Sequence, residues 1–272
     1  MDTRALADAA ADVVRSRTPL RPEVGLICGT GFGPCTEVLT DRTTIPYRDL
    51  PGFRESRIPG HVNELDVGVL GSRAVAACKA KILPCDGATW AESGLQARLL
   101  ARVGCRVLLY SANSGSLVPE ITPGTFVAFT DHINFAGVNP LAGEREGGGW
   151  PTPFLSMAEL YDAARTEAVR VAVREAGIEM PAGVHGFWQG PSFETPAEIR
   201  LARLAGCVTS GNSAVPEVMA ARHAGLPVVA FTFVSVMSAG IAAPIELGGV
   251  LAETARAHGD YRTILRAAIP VL

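Results

Sequence analysis

Lysine is almost missing from this sequence: of 24 basic residues only Lys79 and Lys81 are lysines, and the rest are arginines. Charge of either sign is sparse, at 19% of the 272 residues, and the net charge is −3. That balance excludes a nucleic-acid binder, whose phosphate contacts demand a basic surface. No apolar run approaches the ~18 residues of a membrane span. A basic start followed by an apolar run is also lacking. Met1 to Arg17 instead carries Asp2, Asp8 and Asp12 among alanines, which reads as an amphipathic helix and not a signal peptide. A cytoplasmic protein with no membrane partner is expected. The cysteines at 28, 35, 78, 85, 105 and 207 form no C-x-x-C pair and no Cys/His cluster at zinc spacing, so they read as buried, reduced thiols with no metal site.

What is present is apolar bulk. Hydrophobic residues make up 48% of the chain, which excludes disorder, and the length suits one large α/β domain over residues 1–272. Short β-branched runs alternate with helical patterns. Strands are expected at 24–28, at 64–70 and 73–82 as a pair joined at Gly71-Ser72, and at 106–110, 125–130, 182–189, 207–208 and 228–236. Helices are expected from Trp90 to Gly104 and at 157–176, 195–204, 216–223, 245–257 and 261–268. Asp131 to Trp150 reads as a polar loop and, with its Gly147-Gly148-Gly149 run, as the most flexible stretch. There is no linker, repeat or low-complexity block. The alternation predicts a mixed sheet flanked by helices, with ligands bound beyond the carboxyl ends of its strands.

Two segments have the residue types that such a site needs. Gly29-Thr30-Gly31-Phe32-Gly33 follows a strand, where glycines let backbone N–H groups approach an anion and Thr30 adds a hydroxyl. It is neither G-x-G-x-x-G nor a Walker A loop, and a plain strand-to-helix turn would look the same. Gly190-Pro191-Ser192-Phe193-Glu194-Thr195-Pro196-Ala197-Glu198 is more specific. There an aromatic ring can stack on a planar heterocycle while Glu194 accepts its N–H bonds. A helix start, capped by Ser192 or Thr195 with Glu198 in a capping box, would also produce this string, and the two readings are compatible.

These strings occur together with Pro59-Gly60-His61, Asp131-His132-Ile133-Asn134, Asn139-Pro140-Leu141 and Ser213-Ala214-Val215-Pro216-Glu217-Val218. In that order, from about residue 22 to 256, the chain resembles the trimeric class of purine nucleoside phosphorylases. The resemblance implies an α/β fold with a central mixed sheet or barrel flanked by helices. It also implies a homotrimer, and cleavage of a nucleoside's N-glycosidic bond by inorganic phosphate to give free base and pentose 1-phosphate, with no cofactor. It assigns Gly29, Thr30, His61, Ser213 and the Ala112 N–H to phosphate. Phe193 and Glu194 fall at the base, and Phe154 falls at the aromatic that enters a neighbouring subunit's site.

Several positions depart from the family pattern. Its phosphate-gripping Arg-x-His pair falls on Lys81 and Leu83 when counted forward from His61, and on Ala80 and Ile82 when counted back from Trp90. The forward count is preferred because the strand pair shows no other gap. Lys79, two residues away on the same strand face, could serve if the register slips. Ser111 stands for an Asn, Asn212 for the Met under the ribose, and Val236 for the Asn that pairs with the purine's polar edge. A donor aimed at a departing base stabilises the negative charge developing on it. Val236 cannot donate, so a non-standard nucleoside is expected, or substitution by Ser235 or Ser238, with Ser235 counted beside Glu194 and His61 as catalytic. The alternatives are a re-tasked nucleoside hydrolase or lyase, or an impaired homologue serving as a binding or structural subunit beside an active paralogue.

Overall fold

The computed structural model describes residues 2–241 and 246–272. Its strands are β1 (Val24–Ile27), β2 (Thr40–Pro46), β3 (Glu64–Leu70), β4 (Arg73–Cys78), β5 (Val107–Ser116), β6 (Phe126–Asn134), β7 (Ala182–Phe187), β8 (Cys207–Gly211) and β9 (Val228–Met237). Its helices are α1 (Thr3–Arg17), α2 (Trp90–Ser93), α3 (Leu95–Val103), α4 (Ala163–Glu175), α5 (Pro196–Leu204), α6 (Val215–His223), α7 (Leu247–Arg256) and α8 (His258–Val271). Ile245, expected to begin a helix, lies outside the described residues.

The strands form one mixed sheet in the order β2-β3-β4-β1-β5-β8-β7-β6-β9, and β5 pairs with β9 as well. That second pairing closes β5, β8, β7, β6 and β9 into a ring, from which β1, β4, β3 and β2 extend as a wing. Parallel pairs (β1 with β4 and β5, β5 with β9) sit beside antiparallel ones (β3 with β4, β5 with β8). One apolar layer packs α1, α3 and α6 on one face of the sheet, and the other packs α4 and α8 on the opposite face. β1 is buried along its whole length, as expected of an interior strand covered on both faces.

Local signals act where chemistry supplies them. Asp2 caps α1, and Gly104 ends α3 in the left-handed region at φ 111. Thr195 caps α5 in a full capping box with Glu198, with Pro196 at the first helical position. Three differences from expectation have physical causes. β2 is an exposed edge strand of polar residues without clean alternation. Helix α4 begins at Ala163, because Asp162 caps it. β4 ends at Cys78, so Lys79 and Lys81 share no strand face: Lys79 turns to Glu64 at 2.6 Å and Asp66 at 3.5 Å, while Lys81 is buried over Tyr110.

Residues 131–134, expected in a loop, complete β6, and the 135–150 loop that follows is tied down by arginines: Arg4 reaches Glu144 at 3.3 Å and the Arg145 carbonyl at 2.6 Å, and Arg102 reaches the Gly148 carbonyl at 3.2 Å. Arg98, fully buried in α3, donates to Glu144 Oε1 at 3.0 Å and to the Thr3 hydroxyl at 2.6 Å, joining the loop to α1 and α3. Removing one partner of a buried pair strands the other, at a cost of about 3–5 kcal/mol. Glu144→Ala is therefore expected to lower unfolding free energy by roughly 3 kcal/mol in urea titrations. A loss below about 1 kcal/mol, the value of an exposed pair, would contradict this anchor.

Candidate active site

A cavity of about 290 Å³ opens at the carboxyl ends of the ring strands. Thr30 enters it from the turn after β1, and Asn113, Ser114 and Gly115 from β5. Phe193 and Glu194 enter from the turn before α5, Ser210 to Ser213 from β8 and the turn into α6, and Ser235, Val236 and Ser238 from the end of β9. Strand ends meet there because the ring closes, which brings β8 and β9 to either side of β5.

At one end stand an aromatic face and a carboxylate. Phe193 is 44% exposed, leaving its ring open for stacking. Glu194 is only 9% exposed, and its Oε1 has no hydrogen-bond partner among the described residues. Burial pushes the Glu194 carboxyl above the usual carboxylate range. The buried Ser210 hydroxyl is likewise unpartnered among the described residues. Gly115 lies in register with Ser210 on β8 and with Val236 on β9. A Cβ on Gly115 would stand 2.4 Å from Ser238 Oγ; only glycine leaves room for that hydroxyl. The wall therefore carries Ser210 and Ser238 hydroxyls beside an apolar Val236. Ser235 turns its hydroxyl towards the Ser114 carbonyl at 3.4 Å. Asn212 also lines the cavity, with its Nδ2 3.5 Å from the Trp188 carbonyl.

The other end gathers hydroxyls around an imidazole. Thr30 Oγ1 lies 3.0 Å from His61 Nε2, whose Nδ1 meets Ser56 Oγ at 2.8 Å. Burial, helped by the positive charge of Lys81, pushes His61 down to about 4, so its imidazole is neutral at pH 7 and orients hydroxyls without adding charge. Lys81 Nζ donates to Ser213 Oγ at 3.2 Å, and Leu83 lines the cavity two residues on, which is the placement of the forward count. Lys81 itself does not line the 290 Å³ cavity; it reaches that cavity's wall through Ser213 and borders a second, polar cavity of about 340 Å³ lined by Ser56, Arg57 and Asp86.

Four expectations are corrected. Ser111 does not reach a ligand: it is fully buried, its Oγ accepts from the Gly29 N–H at 2.7 Å, and it also meets Tyr261 Oη at 2.7 Å. The Gly29 N–H is thereby occupied and unavailable to an anion. Ala112 is buried within β5 opposite Thr232, and the cavity begins one residue later, at Asn113. Lys79 is committed to its carboxylate partners and is no alternative to Lys81. Apart from these four, Phe154, which the resemblance assigns to a neighbouring subunit's site, is 92% exposed and takes no part in this chain's own cavity.

Sequence reasoning missed Asn113 and Ser210. Asn113 Nδ2 donates to Thr254 at 2.7 Å, while its Oδ1 has no partner among the described residues. An amide in mid-strand, inside a string of small residues, was the available signal. Ser210 follows Thr209 at a strand end and precedes a glycine, a pattern too ordinary to single out.

With the geometry in place, comparison with known proteins is specific. The family model of the Phosphorylase superfamily matches residues 23–269. Purine nucleoside phosphorylase 1 of Geobacillus stearothermophilus is 30% identical over 267 residues, covering 98% of this chain and 97% of the relative. Purine nucleoside phosphorylase of Bos taurus is 34% identical over 225 residues, covering 81% and 78%. Among solved structures, Schistosoma mansoni purine nucleoside phosphorylase in complex with adenosine superposes with a TM-score of 0.89 at 29% identity, covering 97% of this chain and 95% of that one. Isoform 2 from the same organism, in complex with cytosine and ribose-1-phosphate, superposes with a TM-score of 0.88 at 29% identity, covering 96% of each chain. A family match over nearly every element of the ring and wing, joined to relatives aligned along almost the full chain, makes this protein a member of the phosphorylase superfamily.

Proposed function

We propose that the protein is a pentosyltransferase of the nucleoside phosphorylase type, which cleaves the N-glycosidic bond of a nucleoside with inorganic phosphate. The observation that carries this reading is one cavity with two unlike ends. Phe193 and Glu194, whose Oε1 has no partner among the described residues, suit a planar, hydrogen-bonding base; Thr30 and Ser213, with Lys81 bonded to Ser213 from outside the cavity lining, suit an oxyanion. Stacking and the Glu194 carboxyl hold the base while Asn212 borders the sugar. A phosphate oxygen bonds to C1′ as the C1′–N bond breaks, and its electron pair leaves with the base, which takes up a proton and departs. His61 and Ser56 fix the Thr30 hydroxyl towards phosphate. No cofactor enters this scheme; phosphate is the second substrate.

We place the reaction in the cytoplasm and in a homotrimer, where exposed Phe154 completes a neighbour's cavity. The exposed Leu201 and Leu204 of α5 offer further apolar surface for association. Sedimentation equilibrium decides between a trimer and a monomer.

At the base, Val236 supplies no hydrogen bond, while Ser210, Ser235 and Ser238 supply hydroxyls that both donate and accept. This wall favours a non-standard nucleoside over inosine or guanosine, since loss of a polar partner at a reading site discriminates by up to ~10⁴. A nucleoside panel assayed with and without phosphate is expected to give phosphate-dependent release of base and pentose 1-phosphate. Inosine and guanosine are expected to be turned over at least 100-fold more slowly than the best substrate, the order expected from one missing transition-state donor. Release of free pentose without phosphate would make water the acceptor, and inosine phosphorolysis at ordinary enzyme rates would overturn the reading of Val236.

Glu194→Gln separates binding from structure. Glu194 is not the capping residue of α5, a role held by Thr195 and Glu198. The variant is expected to melt within a few degrees of wild type while its affinity for base falls more than tenfold, about 1.4 kcal/mol. Early melting with normal binding would make Glu194 a structural residue.

A further inference from the structure

Lys81 is held from behind by groups that do not line the cavity. Its Nζ lies 4.6 Å from the centroid of the Tyr110 ring. Tyr110 Oη donates to Glu217 Oε1 at 2.9 Å, and Glu217 Oε2 accepts from the Ala214 N–H at 3.1 Å. Ala214 follows Ser213, whose Oγ is the hydrogen-bond partner of Lys81 Nζ at 3.2 Å. The contacts thus run in a closed circuit from Lys81 through Tyr110 and Glu217 to the turn carrying Ser213, and back to Lys81. Lys81 and Glu217 are each 1% exposed and Tyr110 is 0% exposed.

The arrangement separates charge balance from hydrogen bonding. An ammonium taken out of water needs an opposite charge nearby. A carboxylate in direct contact would supply it but would also occupy the ammonium's donors. Here no ion pair within 4.0 Å joins Lys81 to Glu217 among the described residues. The Tyr110 ring stands between, offering its negative face to Lys81 and its hydroxyl to Glu217. Both Glu217 oxygens accept hydrogen bonds, from Tyr110 and Ala214; burial pushes the Glu217 carboxyl above the usual carboxylate range, and the Lys81 charge is the largest influence holding it down. Of the three N–H donors of Lys81, one is used by Ser213, one side of the ammonium faces the ring, and donor capacity remains for an anion at Ser213.

We propose that Glu217 and Tyr110 are positioning residues that keep Lys81 charged, aimed at Ser213 and free to donate to the phosphate co-substrate. This rests on the phosphate reading given above and extends it to two residues outside the cavity. The other titratable groups around Lys81 are the thiols of Cys28 and Cys85 and the imidazoles of His61 and His185. Burial pushes Lys81 down to about 8, and Glu217 is the largest influence holding it up. Lys81 is therefore cationic below about pH 8 and loses its charge above, so phosphate affinity falls as pH rises through that value. Removing the Glu217 charge lowers the Lys81 pKa further and brings the fall to a lower pH. Arginine stays charged throughout, so it should be indifferent to Glu217.

The test is calorimetric titration of inorganic phosphate into the full-length protein from pH 6 to 9. Wild type is expected to lose affinity with a midpoint near 8. Glu217→Gln is expected to move that midpoint down by about one unit, weakening binding roughly tenfold at pH 8, since one pKa unit is a factor of ten. Tyr110→Phe keeps the ring but releases Glu217, and should move the midpoint the same way by a smaller step. Lys81→Arg combined with Glu217→Gln should bind phosphate with no alkaline fall. An unchanged midpoint in folded Glu217→Gln overturns the proposal and leaves Glu217 a cap of α6. Should that variant fail to fold, an unchanged midpoint in Tyr110→Phe overturns it equally. Wild type that binds no phosphate at any pH would sink the phosphate reading itself and this proposal with it.

Discussion

Lys81 carries an ammonium group into a position with 1% exposure, and the groups packed around it decide whether that charge is kept. Desolvation works against the charged form; the Tyr110 face and the Glu217 carboxylate work for it. The same circuit shapes the turn into α6, because Glu217 accepts from the Ala214 N–H while Ala214 itself sits at φ 92. A non-glycine residue held in that region costs of order 1–3 kcal/mol and persists where its surroundings over-determine it. Here the strained turn presents Ser213 to Lys81. Lysine in place of a forked guanidinium gives up bidentate geometry and gains a charge that its surroundings can tune.

The ring of strands explains why the two ends of the cavity lie so close. Closure through β5 and β9 sets Ser210, Gly115 and Val236 side by side across three adjacent strands, with Ser238 seated above Gly115. The polar groups of this wall therefore lie beside Val236, on Ser210 of β8 and on Ser238 just after β9. Glu194 faces this wall from the turn before α5, a turn fixed by the capping box one residue later. Local helix chemistry thus serves the site directly: the residues that start α5 hold the carboxylate that would read the base.

Much of this was legible in the sequence wherever a local pattern determines the outcome. β3 spans Glu64–Leu70 as expected, Thr195 caps α5, and Gly104 ends α3. The Phe193-Glu194 pair stands in the cavity that its string suggested. What stayed hidden depends on contacts distant in the chain. The pairing of β5 with β9 carries β5 on to Ser116 through small polar residues that read as a loop. Ser111 looked like a ligand residue because its partners, Gly29 and Tyr261, are far away in sequence. Lys79 looked able to stand in for the preferred Lys81 on one strand face until β4 ended at Cys78 and sent them to different partners. Gly115 gave no hint that it makes room for Ser238.

The central claim is that Lys81, Ser213 and Thr30 together hold the phosphate that attacks the sugar. A crystal structure of the protein soaked with inorganic phosphate below pH 8 tests it most directly. The account predicts one phosphate within hydrogen-bonding distance of all three side chains, with Lys81 Nζ still over the Tyr110 ring. A phosphate bound to Thr30 and Ser213 while Lys81 points away, or bound only in the neighbouring polar cavity, would contradict it.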